Sequence, residues 1–334
     1  MVIVELVHAS QGLDSPREGP FFPPRAFELD CRLRPRQDSQ IRREASSSCA
    51  VARLGLQVGV DEQAIVVVQG SQPLALWQER LAPHRVVQRE LDRCGWILRG
   101  GETWCIDASG RVQVRALLWR VGAVQPTLRQ REVLALLRFA GVPCVNSAKA
   151  LLAGFDRLEM LAELRELGLP MLDCDVALGL GALATIAREP PFVVKVGNFH
   201  GGFGKLRVDE RERWSEYVDL IATADTYVAT EPFVEYIRDV RCLQIGNQHW
   251  AIERRGRGWR ANVDTIGVRP IEPPAELVEW TQRVAEARGL DMLGLDALET
   301  ESGWKVLEVN DVPGLRGFPD AALDAVAQCV LARL

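Results

Sequence analysis

The sequence predicts an α/β chain of two or three subdomains, and three observations carry that expectation. Strand-like apolar runs alternate with helical periodicity from Ala64 to about Asn146. Helices and strands go on alternating from Arg211 to Leu334. Between them lies PPFVVKVGNFHGGFGKLRV, Pro190 to Val208. There a strand ends on Lys195, a Gly-rich loop follows, and Lys205 opens a second strand.

The bulk numbers bound the class. At 334 residues, 47% hydrophobic, 25% charged and formal net charge −5, the balance is that of an ordinary globular protein. The mild acidity argues against general nucleic-acid binding but allows a local basic cleft. Cys31, Cys49, Cys94, Cys105, Cys144, Cys174, Cys242 and Cys329 contain no C-x-x-C pair. Reduced, mostly buried thiols are expected, not a zinc site or disulfide framework. No apolar stretch approaches the roughly 18 residues needed to cross a bilayer. The start, MVIVELVHASQG, lacks a basic region followed by a long apolar core. A cytoplasmic protein without a membrane span is the expectation.

Taken in order, residues 1–62 carry a Pro-rich patch, an arginine-rich patch and a short serine run. They read as an extension, an arm or an atypical subdomain. Their arginines read as a solvated basic segment, with an acidic partner as the alternative. Ala64–Val68 (AIVVV) is the first clear strand, ending at Gln69–Gly70, with a helix over Pro73–Leu81. Trp96–Arg99 and Glu102–Ile106 flank a Gly-Gly turn and form a hairpin. Ala116–Arg120 is a buried strand. Val133, Leu134, Leu136 and Leu137 give Thr127–Phe139 helical spacing, closed by Gly141 and Pro143. Asp156 caps a helix that Gly168–Pro170 stops, with Glu159 three residues on. A strand near Cys174–Val176 and a helix near Ala182–Arg188 precede the Gly-rich segment. Then come a helix over Arg211–Ala222, strands Tyr227–Thr230, Val240–Ile245 and Trp250–Arg254, and a helix over Ala275–Arg288. Strands Met292–Leu298 and Trp304–Val309 follow, and Pro319 suits the first turn of a final helix.

Four lysines occur in the chain, at 149, 195, 205 and 305, and two of them flank one loop. A strand lysine beside flexible backbone N–H groups is a phosphate-binding arrangement. The alternative is a Gly-rich hairpin with an incidental lysine. His200 sits in this loop, placed to touch substrate or phosphate, or simply to be solvated.

The second chemical signal is WKVLEVNDVPGLRG, Trp304 to Gly317. Strand alternation points Glu308 and Asn310 one way and Leu307 and Val309 into the core. Asp296 lies within an apolar strand, and the short turn between the two strands brings it near Glu308. A buried carboxylate needs a cation. Two carboxylates and an amide oxygen suit Mg²⁺, while the alternative is a pair of edge-strand acids bonded to arginines. Between the two signals, Glu231 ends a strand, Asp239 and Arg241 share a face of the next, and Arg260 and Asn262 follow a turn. Arginine can hold phosphate or carboxylate bidentately.

Strand-Lys, Gly-rich loop, E-P-F, D-x-R, W-R-x-N, apolar-D and L-E-V-N, in that order, resemble the ATP-grasp superfamily, with greatest likeness to RimK-type glutamate ligases and synapsins. PPFVVKVGNFHGGFGKLRV and YVATEPFVEYIRDVRCLQIGN look like the synapsin ATP-binding half. AIERR, WRAN and LEVNDVPGLRGF look like the RimK ligases. The likeness runs from about Ala64 to Leu334.

The resemblance implies an N-terminal pre-ATP-grasp α/β domain (63–147), a central lid (148–230) and a C-terminal α+β subdomain (231–334). It implies ATP between the last two, with Lys195 on the α/β phosphates and Glu231, Pro232, Phe233 and Val234 as the adenine hinge. Asp239 would face the ribose, and His200, Gly201, Gly202, Gly204 and Lys205 would form and flank a loop over the γ-phosphate. Arg241 and Arg260 would address an acyl phosphate, and Asn262 the phosphates and metal. Asp296, Glu308 and Asn310 would hold two Mg²⁺ ions, with Mn²⁺ an alternative. Arg157 stands where these families usually have lysine, and arginine can still meet phosphate. The implied activity is ATP-dependent carboxylate–amine ligation on a small-molecule amino acid or a peptide. The alternatives are a synapsin-like ATP-binding regulatory protein and a ligase that reads a long peptide with its N-terminal arm. The resemblance leaves a homo-oligomer open.

Overall fold

The computed structural model describes residues 63–334 apart from 69, 71, 91–93, 123–125, 184–187, 222–225 and 264. The expected N-terminal extension, Cys31, Cys49 and most of the helix expected near 182–188 lie outside the described residues. Among those described, three sheets organise the chain.

The first sheet is built from β1 (Gln63–Val68), α1 (Leu74–Arg80), β2 (Val86–Arg89), β3 (Gly95–Arg99), β4 (Glu102–Asp107), β5 (Gly110–Trp119), α2 (Leu128–Ala140) and β6 (Cys144–Val145). β1 runs parallel to β2 and β5, and β6 runs parallel to β5. β3, β4 and the first half of β5 form an antiparallel meander. Both faces of β1 are covered. Ala64 and Val66 pack with Leu117, Leu134 and Leu137, while Ile65 and Val67 pack with Ala116 and Leu118. A strand buried on both sides reads as a continuous apolar run, which is why AIVVV shows no polar alternation. Each such buried branched side chain contributes about 1.5–3 kcal/mol. Thr127 and Gln130 cap α2 reciprocally, and Gly141, at φ 66°, ends it in the left-handed region.

Next come α3 (Ala148–Ala153), α4 (Arg157–Glu166), β7 (Asp175–Ala177), α5 (Leu180–Leu183), β8 (Phe192–Val196), β9 (Lys205–Val208), α6 (Arg211–Ile221) and β10 (Val228–Pro232). The four strands form an antiparallel sheet in the order β7-β10-β8-β9. Phe192 and Val194 pack with Trp214 and Ile221 of α6, with the Phe192 and Trp214 rings edge-to-face at 5.5 Å. The period of two therefore turns Val193 and Lys195 to the opposite face. Asp156 caps α4 through the Leu158 N–H, not through a reciprocal box with Glu159.

The third sheet comprises β11 (Arg238–Ile245), β12 (Gln248–Gly256), β13 (Thr265–Ile271), β14 (Met292–Thr300) and β15 (Gly303–Asn310), with α7 (Ala275–Arg288) and α8 (Asp320–Leu331). It is antiparallel throughout, in the order β13-β12-β11-β14-β15. Val240, Cys242 and Leu295 pack on α7 and on Met160 and Leu164 of α4. Leu243 and Met292 share a core with Ile65, Val67 and, from α8, Ala322 and Val326, which ties the third sheet to the first. Asn146 is fully buried at that junction. Its Nδ2 donates to the Met292 and Asp311 carbonyls, both at 2.7 Å, and its Oδ1 accepts from the Asp291 and Met292 N–H groups.

One side chain departs from the expected alternation. Leu307 does not enter the core but lines a cavity beside Glu308. Glu308 pairs with Asp296 and Val306 with Ala297, so Leu307 is the extra residue of a β-bulge. A bulge shifts the face of the residues that follow it, which is how Glu308 and Leu307 reach the same side. Among the described residues no helix is long and apolar enough to cross a membrane.

Candidate active site

The site grows from the face of the third sheet opposite α7. With Val240 and Cys242 in the core, Asp239 and Arg241 must point the other way. Across the strands Arg241, Asp296 and Glu308 form one row, and Arg254, Asp239 and Leu298 the next. Arg241 holds Asp296 bidentately, Nε to Oδ1 at 2.6 Å and Nη2 to Oδ2 at 2.7 Å. Arg254 donates from Nε to Asp239 Oδ1 at 2.7 Å and from Nη1 to Asp296 Oδ2 at 3.2 Å. Burial alone would raise the Asp296 carboxyl, but Arg241 and Arg254 outweigh it and hold it below its ordinary value. Burial raises the Asp239 carboxyl, only partly offset by Arg254.

The second sheet supplies the ammonium groups. Lys195 and Lys205 face each other in register on β8 and β9. Lys195 Nζ donates to Glu231 Oε1 at 2.5 Å, with both side chains buried. Burial pulls the Lys195 amine below its ordinary value despite that carboxylate. Lys205 Nζ lies 3.3 Å from Glu308 Oε2, and Arg157 Nη1 lies 3.4 Å from the same oxygen. Burial would raise the Glu308 carboxyl, yet Lys205, Arg157, Lys195 and Arg241 together hold it well below the carboxylate range.

The Gly-rich loop is anchored at both ends of the cleft. Arg157 Nη2 donates to the Phe199 carbonyl at 2.5 Å, and its backbone N–H to Asn198 Oδ1 at 3.0 Å. Arg260 Nη1 donates to the Gly202 carbonyl at 2.8 Å. Gly202 is at φ 83°, and a Cβ there would collide with Val263 and crowd Asn262. Only glycine lets the loop lie so close to that turn. Burial, reinforced by Arg157, lowers the His200 pKa.

Two cavities result. The narrow one, about 80 Å³, is lined by Lys195, Lys205, Glu231, Pro232, Phe233, Val234, Asp239, Arg260, Asn262, Asp296 and Glu308. The wide one, about 590 Å³, is lined by His200, Gly201, Arg241, Asn262, Glu308 and Asn310 and by residues that follow β1 and β5. Glu308 and Asn262 line both. Of the residues singled out from the sequence, Arg157, Gly202 and Gly204 line neither cavity; Arg157 contacts the loop and Glu308, and the two glycines belong to the loop. The Arg207 guanidinium lies 3.8 Å from the Phe233 ring centroid and fixes it at the cavity wall.

Sequence reasoning missed Arg254, Tyr236, Leu172 and Leu298, all of which line the narrow cavity. Arg254 had a usable signal: folding 240–245 and 250–254 into a hairpin sets it opposite Asp239. Leu172, Tyr236 and Leu298 carried none, being apolar or aromatic residues in ordinary contexts.

Residues 181–315 match the family described as the synapsin ATP-binding domain. A probable alpha-L-glutamate ligase of Sodalis glossinidius is 30% identical over 216 residues, 62% of this chain and 73% of that protein. The chain belongs to the RimK-type ATP-grasp ligases. The ribosomal protein bS6–L-glutamate ligase of Escherichia fergusonii is 28% identical over 200 residues, 57% of this chain and 65% of that one. The crystal structure of a RimK domain ATP-grasp protein from Sphaerobacter thermophilus superposes with a TM-score of 0.63 at 22% identity, covering 80% of this ligase and all of that chain. The ATP-grasp fold expected from the sequence is thus borne out. The ligase uses ATP to join a carboxylate to an amine, which decides between the enzymatic and regulatory activities left open by the sequence.

Proposed function

We propose that the narrow cavity takes ATP, that the wide cleft takes the carboxylate and the amine, and that the ligase adds glutamate or another amino acid to a peptide or small molecule. One observation carries this reading: the two cavities share Glu308 and Asn262, so a γ-phosphate and a substrate carboxylate meet at that wall. The names of the relatives, glutamate ligases, support glutamate, and the bS6-directed relative supports a protein or peptide acceptor.

In this reading the Pro232–Val234 backbone holds adenine beside Glu231, and Asp239 faces the ribose. Lys195 meets the α/β phosphates, and Lys205, Arg157 and the His200–Gly204 loop enclose the γ-phosphate. The substrate carboxylate oxygen attacks the γ-phosphorus, and ADP leaves with the electron pair of the broken P–O bond. Arg241, Arg260 and Asn262 offset charge on the resulting acyl phosphate and on the tetrahedral adduct. The amine nitrogen then attacks the acyl carbon, inorganic phosphate leaves, and the amine proton passes to phosphate or solvent. Positioning and charge neutralisation supply most of the rate. The same reading divides the ligase at about residues 147 and 230.

The donor types suit a divalent cation, but both Asp296 oxygens are held by Arg241 and Arg254, as in the arginine-bonded alternative, so an ion there would replace those contacts. Asp296 and Glu308 are cross-strand partners, and the Glu308 carboxylate already gathers cations at loose distances of 3.3 and 3.4 Å. The Asn310 Nδ2 is buried without a hydrogen-bond partner; turning the amide by half a rotation puts its oxygen there, where a cation satisfies it. Asp296, Glu308 and Asn310 would hold one or two Mg²⁺ ions, and such an ion neutralises phosphate charge.

The test is ADP release by the full chain with ATP, Mg²⁺ and a panel of amino acids and short peptides. Release that needs both a carboxylate and an amine supports the reading, and ATP binding without such release contradicts it. Arg260→Ala is expected to lower product formation about 10²-fold or more, since it removes one donor to the developing oxyanion. Normal turnover in that variant excludes the role given to Arg260.

A further inference from the structure

Among the described residues, a buried cation on the wide cleft has no carboxylate partner. Arg120 directly follows β5 and is 5% exposed. Its Nη2 donates to the Pro313 carbonyl at 2.9 Å, and its Nη1 lies 3.9 Å from the Met292 Sδ. Its buried Nε has no hydrogen-bond partner, and no carboxylate pairs with the group among the described residues. Arg241 and Arg254 differ in this respect, because each is matched to Asp296 or Asp239. Burial pushes the Arg120 pKa down only to about 10, so the charge persists at neutral pH. An uncompensated buried guanidinium is strongly unfavourable, and a bound anion would relieve that cost.

Its place in the first sheet is that of a ligand site. β1 is flanked by β2 on one side and β5 on the other, all parallel, so the winding direction reverses between β1 and β5. In open α/β sheets, ligands bind in the crevice at the carboxyl ends of the strands at such a reversal. Gly70, just after β1, and Arg120, just after β5, both stand at those ends and both line the wide cleft. A Cβ at residue 70 would come within 2.6 Å of the Arg120 Cβ, so glycine leaves the room that the arginine needs. Neither residue lines the narrow cavity. The charge is therefore on the wall away from the nucleotide, where a part of the substrate that does not react would rest.

We propose that Arg120 pairs with a non-reacting carboxylate of the substrate, so that the ligase selects an anionic amino acid or acidic acceptor over a simple amine. This rests on the ligation reading of the wide cleft. The carboxylate belongs either to the amino acid that brings the amine or to the acceptor that is activated, and the test separates the two.

The full chain, holding Mg²⁺ and a non-hydrolysable ATP analogue, is titrated calorimetrically with L-glutamate, glutamic acid α-amide, glutamine and N-acetyl-L-glutamate. The native ligase is expected to bind L-glutamate at least about tenfold more tightly than one of the two amides. Arg120→Met should weaken L-glutamate by about 100-fold and erase that preference, leaving the ATP analogue within about twofold. Arg120→Lys should retain part of the preference. Binding of N-acetyl-L-glutamate with the same dependence on Arg120 assigns the carboxylate to the acceptor; its failure to bind assigns it to the amine-bearing amino acid. The melting temperature of Arg120→Met is expected to equal or exceed that of the native chain, since an unpaired buried charge has been removed. The proposal is overturned if the amide preference survives in Arg120→Met, if the native ligase binds none of the four compounds, or if Arg120→Met loses ATP-analogue binding and melting temperature together. Absence of amine-dependent ADP release with Arg120-dependent glutamate binding intact defeats the ligation reading instead.

Discussion

Glu308→Gln is expected to lower ligation turnover by about 10²–10³-fold in a chain that still folds. Glu308 is the carboxylate on the wall common to both cavities, and Lys205 and Arg157 converge on its Oε2. Glutamine keeps the shape and an acceptor oxygen but loses the charge that orders those cations and would hold a divalent ion. Stability should respond as well, with a sign that can be worked out. The folded Glu308 carboxyl is held well below its ordinary value. Such a group contributes stability that is present above the unfolded carboxyl pKa, about 4.3, and is lost as pH falls through the lower folded value. The native chain should therefore weaken steeply on acidification below about pH 5, and Glu308→Gln should show a shallower acid limb. Near neutral pH the variant should be the less stable of the two, by up to about 3 kcal/mol, because the buried Arg157 and the partly buried Lys205 lose their partner. Urea titrations across pH, with initial rates of ADP release, measure both effects. Full turnover in a folded Glu308→Gln chain defeats the assignment, and an unchanged acid limb defeats the electrostatic argument.

What the sequence made legible depended on whether one strand or several decide a position. Lys195 could be placed because a single period of two, Phe192 and Val194 inward, turns it outward. The Asp296–Glu308 juxtaposition followed from one short turn. Leu307 could not be placed, because a bulge depends on the pairing of two strands and leaves no mark in WKVLEV itself. β13 was passed over because TIGVRPI carries a glycine and a proline, which suit an exposed edge strand but weaken any strand signal. The first half of β5 alternates valines with Arg111, Gln113 and Arg115, so its meander with β4 was hidden behind charge. Asn146 was read only as the approximate end of the first α/β stretch, yet its four hydrogen bonds join the first sheet to the third, a relation that exists only between distant segments. Arg120 was read as the end of a strand, since being unpaired is a property of its surroundings and not of its neighbours in sequence.

Lys195→Met should weaken ATP affinity by about 100-fold and also destabilise the fold by about 3–5 kcal/mol, and the two losses have different causes. The first follows if the ammonium meets phosphate. The second follows from Glu231, whose carboxylate is 5% exposed and has Lys195 at 2.5 Å. Removing only the lysine strands a buried negative charge, which costs far more than the pair contributed. The double variant Lys195→Met/Glu231→Gln removes both charges, so most of the lost stability should return while nucleotide affinity does not. Urea unfolding of the native, single and double variants gives the stability terms, and calorimetry with a non-hydrolysable ATP analogue gives the affinities. Native-like affinity in the folded double variant would show that Lys195 serves only to neutralise Glu231. Equal instability of the single and double variants would show instead that Lys195 supports the sheet through its packing, with its aliphatic stem against β9, and that charge compensation is not what holds it there.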